Sequence, residues 1–300
     1  MQQKKLKVYF TSDVHGYFYP TTYGDMDVKP VGLFGCAADF NKDDETLIID
    51  GGDILQGSAF AYYCRQVADS PEVIADIMND CGYDYYTLGN HDFNYGLEYQ
   101  AAYRSRNNGV CVCQNITDEA GNTLFPWKLH TMKNGLRVGI VGIVTDYVNI
   151  WEKEENLKGI HITDPFEAAK NALAQMKEQT DLTICIYHGG FECDLESGET
   201  LSQTTENVGY RICKELDFDI LLTGHQHMSV PGRDISGTYT VQPCDNAKEY
   251  QYLEVTMTDH EKVSAPNCVS QTRQRERCLR TSTVPQKMRC RHGLISQLVI

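Results

Sequence analysis

Residues 6–16 read LKVYFTSDVHG, an apolar, β-branched and aromatic run that passes straight into Asp13, His15 and Gly16. The run has the pattern of a buried strand, and its polar end falls where open α/β sheets carry their ligands. The arrangement recurs at 46–57 (TLIIDGGDILQG), 85–94 (YYTLGNHDFN), 182–190 (LTICIYHGG) and 219–227 (DILLTGHQH). Helical stretches are predicted between these strands at 31–42, 58–69, 71–81, 95–106, 164–179 and 204–215. Ser70 is the expected N-cap of the 71–81 helix, with Pro71 in its first turn. Further strands are expected at 110–114, 238–242 and 249–257, with a hairpin in 124–144 turning at Asn134–Gly135. Strands alternating with helices predict an α/β fold.

Composition bounds the function. The chain has 300 residues, 41% of them apolar and 23% charged, enough to bury a sizeable core. No window approaches the ~18 uninterrupted apolar residues of a membrane span. Met1–Lys7 runs directly into the first strand without a leader-like apolar segment. Twelve cysteines without a CxxC pair fit reduced thiols, so a cytoplasmic location is expected. Cys36, Cys64, Cys185 and Cys213 sit among apolar neighbours and are read as core residues. The formal charge is −14, yet residues 261–300 carry eight Lys or Arg against only Glu261 and Glu276. The acidic body argues against nucleic acid polymers and anionic membranes as partners, but not against a small phosphorylated substrate. Oligomeric state is left open.

Five of the nine histidines sit in the strand-end clusters, all but His227 directly beside Gly, Asp or Asn. Carboxylate oxygens and imidazole nitrogens without cysteine suit divalent Mn, Fe, Co or Zn. If the backbone is extended, Asp13 with His15, and His225 with His227, point the same way at i, i+2 spacing. One Asp can bridge two cations, and an Asn carbonyl supplies a neutral oxygen. Each cluster alone is weak evidence; the ordered set of five has no good structural explanation.

The order DxH, GDxxQG, GNHD, HGG, GHQH resembles the calcineurin-like metallophosphoesterases. The wording GGDILQGS and GNHDFNYG is similar to the branch containing 5′-nucleotidases, UDP-sugar hydrolases and 2′,3′-cyclic-nucleotide 2′-phosphodiesterases. The resemblance covers about residues 6–258. It implies a four-layer αββα sandwich of two mixed sheets flanked by helices, with two divalent metal ions at the strand ends. By motif position, Asp13, His15, Asp53 and His227 would hold one metal. Asp53, Asn90, His188 and His225 would hold the second, with Asp53 bridging. The implied reaction is phosphate ester hydrolysis by in-line attack of an activated water. Asn90 and His91 would contact the phosphate, with His91 as electrophilic stabiliser or general acid.

Many 5′-nucleotidases of this family read GNHEFD, where the last residue pairs with the histidine. Here that residue is Asn94, which can orient the imidazole but brings no charge to it. The FNYG wording tilts the expected substrate towards cyclic nucleotides. Residues 1–258 are read as the catalytic domain. Residues 259–300 are read as a basic tail without sustained periodicity, either a solvated linker or the stump of a substrate-binding domain. Without such a domain, generic aryl phosphates should be hydrolysed with weak nucleotide selectivity. Two alternatives are a phosphoesterase acting on non-nucleotide substrates and a catalytically weak domain serving as a binding module. Tyr62, Tyr63, Tyr83, Tyr85 and Tyr86 are read as core rather than pocket. The sequon Asn115-Ile116-Thr117 is read as chance.

Overall fold

Val8, Phe10, Leu47 and Ile49 face one side of their sheet while Tyr9 and Ile48 face the other, the alternation of strands buried on both faces. The computed structural model describes residues 3–21, 27–257 and the backbone of 268–274. Strand Lys4–Thr11 pairs in parallel with Thr46–Asp50, which continues in parallel to Tyr85–Tyr86 and Val110–Cys111. On the other side, Glu249–Met257 joins Lys4–Thr11 antiparallel, and Cys268–Gln274 follows it antiparallel at the edge. The second mixed sheet has Arg137–Val144, Leu182–His188, Ile220–Thr223 and Thr238–Gln242 in parallel. Lys128–Thr131 and Val230–Ile235 close it antiparallel at its two edges.

Leu6, Val8, Phe10, Leu47 and Ile49 of the first sheet pack against Val138, Ile140, Ile184, Ile186, Leu222 and Val241 of the second. Each such side chain stabilises the sandwich by about 1.5–3 kcal/mol. Helices Ala59–Gln66, Glu72–Cys81 and Leu97–Arg106 cover the outer face of the first sheet through Ala61, Ile74, Ile77, Met78 and Tyr103. Pro165–Met176 and Gly209–Glu215 cover the second through Phe166, Ala169, Leu173 and Ile212. The result is the expected order of helices, sheet, sheet, helices. Cys36, Cys64, Cys185 and Cys213 are all buried. No helix among the described residues is long and apolar enough to cross a membrane.

Several elements depart from expectation for local reasons. The 110–114 strand divides at Val112, whose N–H bonds Tyr86 O. Cys113–Asp118 then forms a separate three-stranded sheet with Thr123–Phe125 and Ile160–Ile162. The helix expected over 204–215 begins at Gly209. Its first residues are taken up elsewhere: the Glu206 carbonyl accepts from Thr145 Oγ1 and Tyr187 OH, and Asn207 Oδ1 accepts from the Gly190 N–H. The 31–42 helix is confined to Leu33–Ala37, after which Asp39 N and Phe40 N bond Cys36 O and Ala37 O in i→i+3 turns. The 71–81 helix runs Glu72–Cys81 with Pro71 at its N-cap; Ser70 Oγ still accepts the Glu72 N–H at 3.2 Å. Of the stretch 259–300, residues 268–274 supply the edge strand; the rest of that expectation lies outside the described residues.

Candidate metal centre

The parallel strands deliver their carboxyl ends to one edge of the sandwich, and the bond from His188 Nδ1–H to Gly51 O (2.7 Å) ties the two sheets together there. Asp13, His15, Asp53, His225 and His227 all adopt left-handed backbone, with φ between 52 and 71°. This corrects the extended-segment expectation: these residues lie beyond the strand ends, in turns that cost roughly 1 kcal/mol per residue. Asp13 N bonds Gly52 O and His15 N bonds Asp53 O, so one turn templates the other. Gly89 is required by proximity: a Cβ there would strike Asp53 Oδ1.

The turns aim their side chains into a common volume. His15 Nε2 lies 3.0 Å from His227 Nε2 and 3.8 Å from Asp53 Oδ2. His227 Nε2 is 3.4 Å from Asp13 Oδ1. His188 Nε2 is 3.3 Å from Asp53 Oδ2 and 4.0 Å from Asp13 Oδ1. Two donor groups result, Asp13–His15–His227 and Asp13–Asp53–His188. Asp13 is common to both groups, while Asp53 Oδ2 lies between His15 Nε2 and His188 Nε2. Asn90 Oδ1 joins the second group, 3.2 Å from His188 Nε2 and 2.9 Å from His225 Nδ1. His225 is turned outward by its other nitrogen, which meets Glu206 Oε1 at 3.0 Å.

The donor chemistry fits a cation. His15 and His188 each give Nδ1–H to a backbone carbonyl, Gln56 O and Gly51 O. In the neutral ring this leaves a lone pair on each Nε2, directed at carboxylate oxygens and at another histidine. Asp53 Oδ2 is buried and has no hydrogen-bond partner among the described residues. Electron pairs facing electron pairs in a buried volume call for a positive charge. Titration follows the same logic. Burial would lower His188, but Asp53 and Asp13 override it and raise the group to about 10. Burial works against ionisation of Asp53 and Asp13 too, yet His188 holds both below the usual carboxylate range. The hydrogen bond to Asp13 raises His227, whereas burial and the charge of His188 lower His225.

His91 and Asn94 lie beside this volume. The His91 ring meets His15 edge-on at 5.3 Å, and its backbone N–H bonds Asp53 Oδ1 at 2.7 Å. Its Nδ1 is 2.8 Å from Asn94 Oδ1. Both residues line a cavity of about 530 Å³ with Asn90, Trp151, Glu152 and His225.

The structure adds residues whose roles the motifs do not state. Asp92 lies within GNHDF, yet its role is visible only in three dimensions. It accepts the N–H groups of Asp53, Ile54, Leu55 and Gly89, bracing two ligand turns at once. Glu206, Glu152 and Trp151 reach the site from loops and short helices without a local signature. Trp151 stacks on His225 at 5.5 Å and 28°.

A family model described as calcineurin-like phosphoesterase matches residues 6–229. The chain belongs to that family. Among relatives of this phosphoesterase, the trifunctional nucleotide phosphoesterase protein YfkN of Bacillus subtilis is 29% identical over 262 residues, covering 78% of this chain and 17% of that protein. The 2′,3′-cyclic-nucleotide 2′-phosphodiesterase/3′-nucleotidase of Yersinia enterocolitica is 28% identical, covering 81% of this chain and 39% of its own length. The chain thus spans well under half of these curated relatives. A candidate 5′-nucleotidase structure from Staphylococcus aureus superposes with a TM-score of 0.83 at 32% identity, over 90% of this chain and 54% of that one. A YfkN structure from Bacillus subtilis gives 0.84 at 23% identity, over 99% and 98%, a likeness of fold.

Proposed function

We propose that this phosphoesterase hydrolyses phosphate esters of nucleotides with two divalent cations. The observation that carries the reading is the convergence of carboxylates and lone-pair histidines around Asp53, beside an open cavity. Asp13, His15, Asp53 and His227 would hold one cation; Asp53, Asn90, His188 and His225 would hold the other. Bound there, such cations supply a nucleophile at neutral pH and neutralise phosphoryl oxygens.

The protein's own groups do the rest. Asn90 and His91 line the cavity where a phosphoryl group would enter. With Nδ1 tied to Asn94, His91 has Nε2 to offer to a phosphoryl or leaving oxygen. The cavity volume lies within the range of small-ligand sites, and Trp151 gives it one aromatic wall. Nucleotide substrates are supported by the names of the relatives and by the FNYG wording after His91.

The test is turnover of 2′,3′-cAMP, 5′-AMP, UDP-glucose and p-nitrophenyl phosphate with Mn²⁺ added. Hydrolysis of the aryl phosphate together with at least one nucleotide is expected. Turnover of p-nitrophenyl phosphate alone would move the substrate class away from nucleotides. No turnover of any ester would favour a binding module.

A further inference from the structure

Glu152 lies 58 positions after Asn94 in the chain, yet its Oε2 accepts the Asn94 Nδ2–H at 2.6 Å. Its other oxygen is fixed by the Lys153 N–H at 2.7 Å and by Asn156 Nδ2 at 2.9 Å. Asn156 Nδ2 also reaches the Asn94 carbonyl at 3.2 Å. A carboxylate only accepts hydrogen bonds, so the Asn94 atom facing Glu152 must be the amide nitrogen. The amide oxygen then faces His91 Nδ1 at 2.8 Å. An amide oxygen also only accepts, so the His91 proton is placed on Nδ1 and Nε2 is left for the cavity. Had the amide been free to turn over, its NH₂ would meet Nδ1 and move the proton to the other nitrogen.

We infer that Glu152 is a positioning residue that fixes the His91 tautomer through Asn94, supplying from a separate element the anion missing at position 94. The arrangement is His91 Nδ1–H to Asn94 Oδ1, then Asn94 Nδ2–H to Glu152 Oε2, each donor matched to an acceptor. It rests on the role proposed above for His91. Charge-assisted contacts of this kind are the stronger hydrogen bonds, and residues that orient active-site groups are typically worth about 10–100-fold in activity.

The pattern makes a specific demand on variants. Glu152→Gln keeps Oε1 for Lys153 and Asn156 but turns an NH₂ towards Asn94, forcing that amide to turn over. Asn94→Asp opposes two carboxylates across the same contact. The double variant Asn94→Asp/Glu152→Gln restores every donor–acceptor pair with the charge moved one residue closer to His91. Each single variant should lower kcat about 10–100-fold, with KM and metal content little changed, and the double should recover most of the loss. Nitrogen-15 NMR of labelled histidine, on zinc-loaded and on EDTA-treated protein, should show the neutral His91 ring protonated at Nδ1 in wild type and at Nε2 in Glu152→Gln.

Full kcat in both single variants, or a double variant no better than the worse single, would overturn the inference. A wild-type His91 protonated at Nε2 would also overturn it, without any variant having to fold. If the wild type hydrolyses no ester, the proposed function fails, and the NMR tautomer alone then decides the role of Glu152.

Discussion

Asp92 Oδ2 accepts the backbone N–H of Asp53 at 2.9 Å, so one buried carboxylate holds the turn that carries the central acidic residue of the site. The same oxygen takes the Gly89 N–H at 2.8 Å, next to Asn90. Replacing Asp92 with Ala would strand four buried N–H groups. An unmet buried donor costs about 1–3 kcal/mol, with relaxation sparing some of the total. Asp92→Ala should therefore lower the melting temperature by about 10 °C and metal affinity by about 10–100-fold. Calorimetry and a metal titration check this; an unchanged melting temperature would contradict the brace.

Asp50 makes stability depend on pH. Burial lifts its carboxyl to about 7, against hydrogen bonds from Thr11 Oγ1 and the Gly52 N–H, and the charges of Asp92 and Asp13 add to the rise. The folded chain therefore keeps a proton that the unfolded chain releases near pH 4. Stability from this group is complete below pH 4 and is lost as pH rises to about 7, on the order of 4 kcal/mol in the metal-free protein. Denaturant melts of EDTA-treated protein should show this slope, and Asp50→Asn should flatten it. A slope identical in the variant would sink the assignment.

Trp151 is 48% exposed, lines the cavity and stacks on His225, with Tyr147 edge-on to it at 5.4 Å. A base or aryl ring entering the cavity meets an aromatic face there, and stacking of this kind is worth about 1–3 kcal/mol per base. Trp151→Ala should raise KM for nucleotide esters about tenfold and leave that for a ring-free ester such as glycerol phosphate nearly unchanged. Equal changes for the two would show that Trp151 serves His225 rather than substrate.

Much of this was legible in the sequence because each ligand turn follows its strand directly, where an apolar run and a polar cluster are neighbours in the chain. Asp13, His15, Asp53, Asn90, His188 and His227 are all brought together, and His225 joins through Asn90. The local backbone was less legible. Asp13–His15 and His225–His227 share a direction through left-handed turns, which no alternation pattern reports. Glu152, Glu206 and Trp151 escape any local reading because their partners lie far off in the chain: Glu152 meets Asn94, and Glu206 meets His225 Nε2 at 3.0 Å. The reading of Asn115 as a chance sequon agrees with its burial. Its amide bonds Val144 N, Val144 O and Thr163 O, which leaves no nitrogen for a glycan. Tyr83, Tyr85 and Tyr86 are core as expected, whereas Tyr62 is 61% exposed.

Metal stoichiometry tests the account most directly. Protein stripped with EDTA, reconstituted with Mn²⁺ and dialysed should hold two ions per chain by elemental analysis. Asp53→Asn, which keeps the shape but removes the shared negative charge, should hold at most one and lose more than about a hundredfold in turnover. Wild-type protein holding less than one ion per chain, or an Asp53→Asn variant that still holds two, would contradict the dinuclear centre.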